Sequence, residues 1–346
     1  MPSSRASLLT GLAVALLLGL AAPGAWAQDS APQAVPPREI IVATAPVNSP
    51  LGRWGNAFVE RLKTEAGQPV SEAITAGPLP NSALLQSGRV AIGLVSLDVA
   101  AAAWAGTSPM APGLKFEHLR ALAPVAPAAV LRFVVPVGSG ITSASGLAGK
   151  RVALATDDAL TEPMLKALDV KATLRRLPLT EVAKQFADAK IDAVAVTGLE
   201  PFALPPEQPA VTFGLTVAEI AKVAAAIPGV AAAAVPLPPA PAVPPADPAA
   251  TDPAAAAPAP AALPPQPLPP SAGMWTWLVA SDALPEEVAR RATEIAVGQA
   301  APLAEAAGLE LSPALDPLTN RALPFHRGAA AAWATQGVTV PADQVR

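Results

Sequence analysis

Short runs of apolar residues alternate along the chain with stretches in which apolar residues recur every three or four positions. The first run, Glu39–Ala43, predicts a buried strand. After a polar loop, Ser49 is suited to cap a helix and Pro50 to begin it, and apolar residues follow at helical spacing from Trp54 to Leu62. The pattern therefore predicts a strand, a loop and a helix in this order.

This unit recurs along the chain. Similar apolar runs predict further strands at Val90–Val95, Leu131–Val137, Arg151–Ala155, Asp192–Val196 and Met274–Val279. Helical spacing predicts further helices at Asn81–Gln86, Asp98–Ala105, Glu162–Leu168, Glu181–Asp188 and from Pro285 onward. Two of these helices have polar residues suited to capping them, Asn81 and Thr180. Strands that alternate with helices predict an α/β fold whose mostly parallel sheets are covered on both faces.

Two segments do not fit this alternation. Residues 1–27 contain a basic residue, an apolar run of about 15 residues and Ala25-Trp26-Ala27, which is typical of a cleavable signal peptide and too short for a membrane anchor of about 20 residues. Between residues 228 and 270, 16 of 43 residues are proline, so we expect a disordered, polyproline-like insertion. It is either a neutral surface loop or a spacer that docks a partner.

Composition excludes several classes of function. The chain has no cysteine, which removes thiol catalysis, thiolate metal sites and disulfides, and its formal net charge of −4 disfavours nucleic-acid binding. The two histidines, His118 and His326, are too far apart in the chain to suggest a metal site, and we expect His326 to have a packing and hydrogen-bonding role. No nucleophile elbow, zinc-protease motif or complete phosphate loop is present. We expect a non-enzymatic protein without a cofactor or metal.

Three stretches of the chain resemble one family of solute receptors. They are 76–106, with its turn, helix end and Gly-Leu-Val strand; Ser145–Val152 with the later 190–193 and Gly198; and 323–338, with His326, Gly328 and Gly337. Together they are similar to the TAXI family, the extracytoplasmic receptors of one branch of the TRAP transporters. The chain departs from that family at Ser49-Pro50-Leu51, where Gly-Thr-Tyr is usual, and at Pro78, Ser96 and 155–158.

The resemblance implies a two-lobed, type II periplasmic-binding-protein-like fold. It places lobe 1 at 38–132 and 279–346, and lobe 2 at 133–227 with the hinge return at 271–278, separated by the disordered insertion at 228–270. A small organic anion or amino acid, glutamate-like or dicarboxylate-like, would bind between the lobes of a periplasmic monomer that delivers it to TRAP membrane subunits. The alternative is a receptor-like envelope interaction or sensory protein that has lost transport.

Polar residues after the predicted strands are the candidate ligand contacts, because loops at the carboxyl ends of parallel strands face the crevice of such folds and helix N-termini there bind anions. They are Thr44, Asn48, Ser49, Asn81, Ser96, Asp98, Thr156, Asp157 and Thr197. Asn81 is favoured, because both the family position and its chemistry select it. The alternative is that these residues only cap helices. Arginine side chains that could clamp a carboxylate are Arg53, Arg132, Arg175 and Arg176.

Overall fold

The computed structural model describes residues 39–199, 202, 208–234, 270–309 and 316–346. The expected signal peptide (1–27) and residues 235–269 of the Pro/Ala-rich segment lie outside the described residues. Eleven strands occur in the described part: β1 (Ile40–Ala43), β2 (Val70–Ala73), β3 (Ile92–Ser96), β4 (Leu119–Val130), β5 (Arg132–Pro136), β6 (Arg151–Ala155), β7 (Thr173–Leu177), β8 (Ala193–Val196), β9 (Ala210–Phe213), β10 (Val230–Ala233) and β11 (Ser271–Ser281).

Helices connect most of these strands. In the same residues, the α-helices are α1 (Pro50–Glu65), α2 (Pro78–Gln86), α3 (Leu97–Ala105), α4 (Thr161–Ala167), α5 (Leu179–Ala187), α6 (Val217–Ala226), α7 (Glu286–Gly298), α8 (Ala300–Ala307) and α9 (Arg327–Thr335). Short 3-10 turns lie at Ala144–Leu147, Pro317–Thr319 and Ala342–Gln344.

The strands form two sheets with related strand orders. The first sheet has the order β10-β11-β3-β1-β2, and β4 pairs with the other edge of β11. The second has the order β7-β6-β8-β5-β9. Each sheet contains three parallel strands, and the one that comes first in the sequence lies between the other two. An antiparallel strand lies next to these three in the sheet. Two α/β sheets of this kind confirm the predicted fold class.

The expectation of mostly parallel sheets is wrong. Only the pairs that β1 makes with β2 and β3, and β6 with β7 and β8, are parallel, while β11 and β5 run antiparallel to their neighbours. For β5 the reason is that the chain enters it directly from β4, a strand of the first sheet. Strand β5 therefore does not follow a helical crossover within one sheet, which is the connection that makes neighbouring strands parallel.

The chain passes between the sheets where β4 leads into β5. The N–H of Val130 donates to the carbonyl of Thr197, and that of Leu131 donates to the carbonyl of Ala272, at 2.9 Å each. Strand β11 lies entirely in the first sheet, where it pairs with β3 and β4. Residues 271–278, the expected hinge return, thus pair within the first sheet, and Met274 packs in the same hydrophobic cluster as residues of the second sheet.

The Pro/Ala-rich segment also begins later than its composition predicts. Strand β10 lies within the range 228–270, and its residues pair in antiparallel register with the start of β11, so that Ala233 lies opposite Ser271. Residues 230–235 contain no proline, so every residue from Val230 to Ala233 keeps an N–H. The ends of the remaining segment, Ala234 and Pro270, are thus brought close together.

Two of the three predicted helix caps are not observed. Ser49 caps α1, with its Oγ accepting a 3.0 Å hydrogen bond from the N–H of Gly52, as predicted. Asn81 lies inside α2, which begins at Pro78, and Thr180 lies inside α5. In both cases the helix begins just before the polar residue, because a proline at or before the helix start needs no N–H partner.

Helix α9 packs closely against α7 through Gly328. A Cβ atom at this position would lie 2.0 Å from the carbonyl oxygen of Glu286 and 2.8 Å from the backbone nitrogen of Arg290. Backbone atoms cannot move aside as a flexible side chain can. Only glycine therefore allows the two helices to approach this closely.

We expect Gly328→Ala to lower the free energy of unfolding by about 2–3 kcal/mol, because the added methyl group overpacks the contact between helices. Gly298→Ala is the matched control, since a Cβ atom on this residue at the end of α7 meets nothing within 4 Å. Urea unfolding of the two variants measures the difference. Equal stability of both variants would show that the helices separate without cost.

Candidate functional site

Thr44 follows β1 and lies at the centre of a hydrogen-bonded group. Its side chain is fully buried, and its Oγ1 donates to Oε1 of Glu72 at 2.7 Å. Its carbonyl oxygen accepts hydrogen bonds from Nδ2 of Asn81 and Oγ1 of Thr75, both at 2.8 Å. Glu72 was not among the predicted residues, because its position on an edge strand is visible only in the sheet.

Asn81 fastens the ends of two neighbouring strands. It is fully buried, and its Nδ2 donates to the carbonyl oxygens of Thr44 and Leu94 at 2.8 Å, while its Oδ1 accepts from Oγ1 of Thr75 at 2.6 Å. Its amide is therefore engaged within the protein on both its oxygen and its nitrogen. In this conformation Asn81 positions the loop after β1, and it presents no free group to a ligand.

The loop before α1 presents Asn48 and Ser49. The side chain of Asn48 is exposed, whereas the Oγ of Ser49 is occupied by the helix cap and by the carbonyl of Pro46 at 2.7 Å. Arg53, a candidate clamp for a carboxylate, donates from Nε and Nη2 to the carbonyl of Ala307. That guanidinium joins α1 to the end of α8, so it is committed to the fold.

Ser96 ends β3 and immediately precedes α3. It is buried, its hydroxyl forms no hydrogen bond in the described structure, and it lies directly opposite Thr276 of β11. Asp98, in the first turn of α3, is exposed. Sequence reasoning missed Thr276, because an apolar run predicts a buried strand without saying which strand will lie beside it.

In the second sheet, the loop after β6 is organised by Asp158. This carboxylate is buried and accepts hydrogen bonds from the N–H groups of Leu160 and Thr161, from Oγ1 of Thr161 at 2.7 Å and from Oγ1 of Thr197 at 3.2 Å. It therefore connects the carboxyl ends of β6 and β8. An aspartate just before a helix is a capping signal, and this signal in the sequence could have identified it.

The predicted residues Thr156 and Asp157 are both exposed, one and two positions after β6. Their neighbour Arg176, a candidate clamp, donates from Nη1 to the carbonyl of Asp158 at 2.5 Å and forms an ion pair with Glu162 at 3.3 Å. This guanidinium is likewise engaged within the loop. Thr156 and Asp157 therefore face solvent beside a rigid cap.

Arg132 and Thr197 lie where the chain crosses between the sheets. Arg132 is 2% exposed, and its Nη1 donates to the carbonyl of Gly198 at 2.7 Å. Burial lowers the pKa of the Arg132 guanidinium, because the charged form loses solvation there. A charged group held in this position fixes the loop after β8 to the start of β5.

The nine predicted residues thus form two groups, both at the carboxyl ends of parallel strands. The first group lies on the first sheet, where a hydrogen bond joins Asn81 to Thr44, and the second lies on the second sheet, where Thr197 donates to Asp158, the neighbour of Asp157. Thr197 also accepts a hydrogen bond from Val130, a residue of β4, which runs beside β11. Polar side chains and helix starts at strand ends are suited to binding a small polar or anionic molecule.

The histidines have structural environments. The Nδ1 of His326 accepts from the N–H of Gly328 and caps α9, so Nε2 carries the proton that it donates to the carbonyl of Leu284. Burial lowers the pKa of this imidazole, because it penalises the charged form. The expected packing role of His326 is confirmed.

Two further features of the described residues bear on the site. Those residues include no group of three or more His, Cys, Asp or Glu side chains that could hold a metal ion. In the same part of the chain, no helix has the length and apolar character needed to cross a membrane.

The architecture and these strand-end groups define an α/β protein with two mixed sheets. Residues 45–244 match the NMT1-like family, and because this match covers more than half of the sequence, the chain belongs to that family. No curated protein matches the chain in sequence.

Several solved structures are also similar. The periplasmic aliphatic sulphonate binding protein SsuA from Escherichia coli is 13% identical, with 79% of this chain and 80% of that chain covered and a TM-score of 0.39. SsuA from Xanthomonas axonopodis pv. citri, bound to MOPS, is 13% identical over 90% and 99% of the two chains, with a TM-score of 0.38. A TRAP periplasmic solute binding protein from Pseudomonas aeruginosa PAO1, with bound L-malate, is 10% identical over 89% and 95%, with a TM-score of 0.37. These values are too low for the similarity to indicate a ligand.

We expect Asn81→Ala to lower the free energy of unfolding by about 3 kcal/mol, because it leaves buried carbonyl groups of Thr44 and Leu94 without a donor. Asn48→Ala is the control, because it removes an exposed amide from the same sheet edge and should change stability by less than about 0.5 kcal/mol. Chemical denaturation of both variants tests this. A fully stable Asn81→Ala variant would contradict a fastening role.

The adjacent aspartates allow a second comparison. We expect Asp158→Ala to destabilise the protein by about 2–4 kcal/mol, since it removes four hydrogen bonds to a buried carboxylate. Asp157→Ala removes an exposed carboxylate and should have little effect on stability. Thermal unfolding followed by circular dichroism compares them, and an equal loss from both substitutions would refute the capping role of Asp158.

Proposed function

We propose that the protein is an extracytoplasmic solute receptor that binds a small organic anion or amino acid, glutamate-like or dicarboxylate-like. The observation that carries this proposal is the position of the polar groups. In both sheets they lie at the carboxyl ends of parallel strands, and the strands that cross between the sheets run beside them. A ligand in this region would be contacted from two α/β units at once.

The crossing region is suited to a hinge. If the sheets rotate about it, a ligand that touches both groups gains contacts only in the closed arrangement, and this difference in contacts favours closure. The asparagine and aspartate fasteners, Asn81 and Asp158, would keep each group rigid while the units move. Among the exposed side chains, Asn48, Asp98, Thr156 and Asp157 are candidates for direct contact with the ligand.

The finer assignment rests on the resemblance described above. It makes the protein a TAXI-type receptor that is exported by a cleavable signal peptide, acts as a monomer in the periplasm and delivers its ligand to TRAP membrane subunits. Transport of this kind needs no chemical step, so the protein would be neither an enzyme nor a holder of a cofactor or metal. Membership of the NMT1-like family is compatible with this assignment and does not specify it.

A ligand screen tests the proposal. We expect at least one amino acid, dicarboxylate or alkanesulfonate at millimolar concentration to raise the melting temperature of the purified protein, because a ligand that binds only the folded state stabilises it. Isothermal titration calorimetry then gives the dissociation constant of each hit. If no compound of these classes shifts the melting temperature, the receptor assignment fails.

A deletion distinguishes the alternative, a receptor-like interaction or sensory protein that uses the Pro/Ala-rich segment as its contact. Because Ala233 lies opposite Ser271, residues 235–269 can be replaced by a short Gly-Ser turn that closes a β10–β11 hairpin. We expect this variant to keep the ligand affinity of the intact protein. Loss of ligand affinity in the deletion variant would favour the alternative. So would loss of a binding partner by the variant if neither the intact protein nor the variant binds a small molecule.

A further inference from the structure

The buried hydroxyl groups of this protein divide into two sets. Nine serine and threonine residues are buried in the described part of the chain: Thr44, Ser82, Ser96, Ser108, Thr161, Ser271, Thr276, Ser281 and Thr293. Seven of them form a side-chain hydrogen bond. Within the described structure, the hydroxyls of Ser96 and Thr276 form none. The Oγ1 of Thr276 is also shielded from solvent, and a buried hydroxyl is normally satisfied, so Thr276 is an exception that needs an explanation.

Thr276 and Ser96 are neighbours in the sheet. Strand β11 runs antiparallel to β3, and Thr276 lies directly opposite Ser96, so the two side chains share a face of the sheet with Cβ atoms about 5 Å apart. The neighbours of Thr276 on the same face of β11 are Met274 and Leu278, and Ala126 lies opposite it on β4. Apolar groups therefore surround the pair on the other sides, and none of them can satisfy a hydroxyl.

Helix α3 starts beside this pair. Ser96 occupies its cap position with extended backbone, yet its hydroxyl bonds none of the N–H groups of the first turn. These groups and the helix dipole attract an acceptor to the start of the helix. Asp98 in the same turn is exposed and forms no hydrogen bond or ion pair among the described residues, so it leaves those N–H groups available.

The two hydroxyls differ in access. Thr276 is fully buried and its Oγ1 is shielded from solvent, whereas Ser96 retains 6% of its surface. The pair therefore opens on the side of Ser96, at the carboxyl end of β3. This is the edge of the sheet at which the other candidate ligand contacts lie.

We propose that Ser96 and Thr276 form a two-hydroxyl subsite that, with the first-turn N–H groups of α3, binds an oxygen of an acid group, a carboxylate or a sulfonate. Hydroxyl and amide donors that converge on one oxyanion in an apolar setting form strong, charge-assisted hydrogen bonds. The inference rests on the proposed receptor function and deepens it, because it assigns the acid end of the ligand to the first sheet and makes Thr276 a determinant of specificity.

The first test is stability without ligand. Thr276→Val keeps the shape of the side chain and removes a hydroxyl that has no partner, so we expect an unchanged melting temperature or a rise of about 2 °C. Thr293→Val is the matched control, because its buried hydroxyl donates to the carbonyl of Ala289 at 2.8 Å and its loss should lower the melting temperature. A comparable decrease in Thr276→Val would show that its hydroxyl is satisfied inside the protein, and would overturn the subsite.

The second test uses formate and methanesulfonate, the smallest carboxylate and sulfonate probes, against chloride at equal ionic strength. We expect both probes to bind the intact protein, and Thr276→Val and Ser96→Ala each to weaken binding by about tenfold, while Thr293→Val retains it. Unchanged affinity in Thr276→Val and Ser96→Ala, or no binding of either probe to the intact protein, would mean that the pair holds at most a structural water, and would overturn the proposal.

The two proposals fail in different ways. If an organic acid from the ligand screen binds the intact protein and both variants equally, the receptor function stands and the subsite is wrong. If formate or methanesulfonate binding depends on Ser96 and Thr276 but no compound in the screen binds, the subsite stands and the receptor function is wrong.

Discussion

Two backbone hydrogen bonds hold the sheets together where the chain passes between them, from Val130 to Thr197 and from Leu131 to Ala272. They bring the carboxyl end of β8 beside the two longest strands of the first sheet. Because β11 carries Thr276, which lies opposite Ser96 at the start of α3, this short connection places the end of β8 beside the strand that carries Thr276. It also explains why the second sheet is mixed, since β5 enters that sheet directly from β4 and runs antiparallel to β8.

Polar residues whose hydrogen bonds are all made within the protein have a structural role, whereas those with unused donors or acceptors are available to a ligand. Asn81 and Asp158 have the chemistry of ligand contacts, but their donors and acceptors are consumed by strand ends and helix starts. A buried polar group needs a hydrogen-bond partner. A residue type whose donors and acceptors suit a ligand can equally use them to bond the backbone of a loop. Among the buried serine and threonine residues of the described chain, Thr276 has a solvent-shielded hydroxyl to which the fold supplies no partner, and it lies opposite Ser96.

The strands that the sequence predicted are those with continuous apolar runs, such as β6 at Arg151–Ala155, and these lie in sheet interiors. Strand β4 was missed because Pro124 and Pro127 read as breakers, although its pairing with β11 tolerates them through shifts in register. Strand β7 was missed because Thr173–Leu177 is largely exposed at a sheet edge and has no apolar signal. Strand β10 was hidden by the proline-rich composition around it.

Local sequence determined the α/β alternation, the Ser49 cap and the set of strand ends at which polar residues gather, because each depends on neighbours within a few positions. Tertiary structure alone decided that Asn81 would be enclosed and that Thr276 would face Ser96. Those relations depend on the order and register of strands that are distant in the chain. Register is selected by the packing of whole sheet faces, to which a residue and its immediate neighbours contribute only a small part.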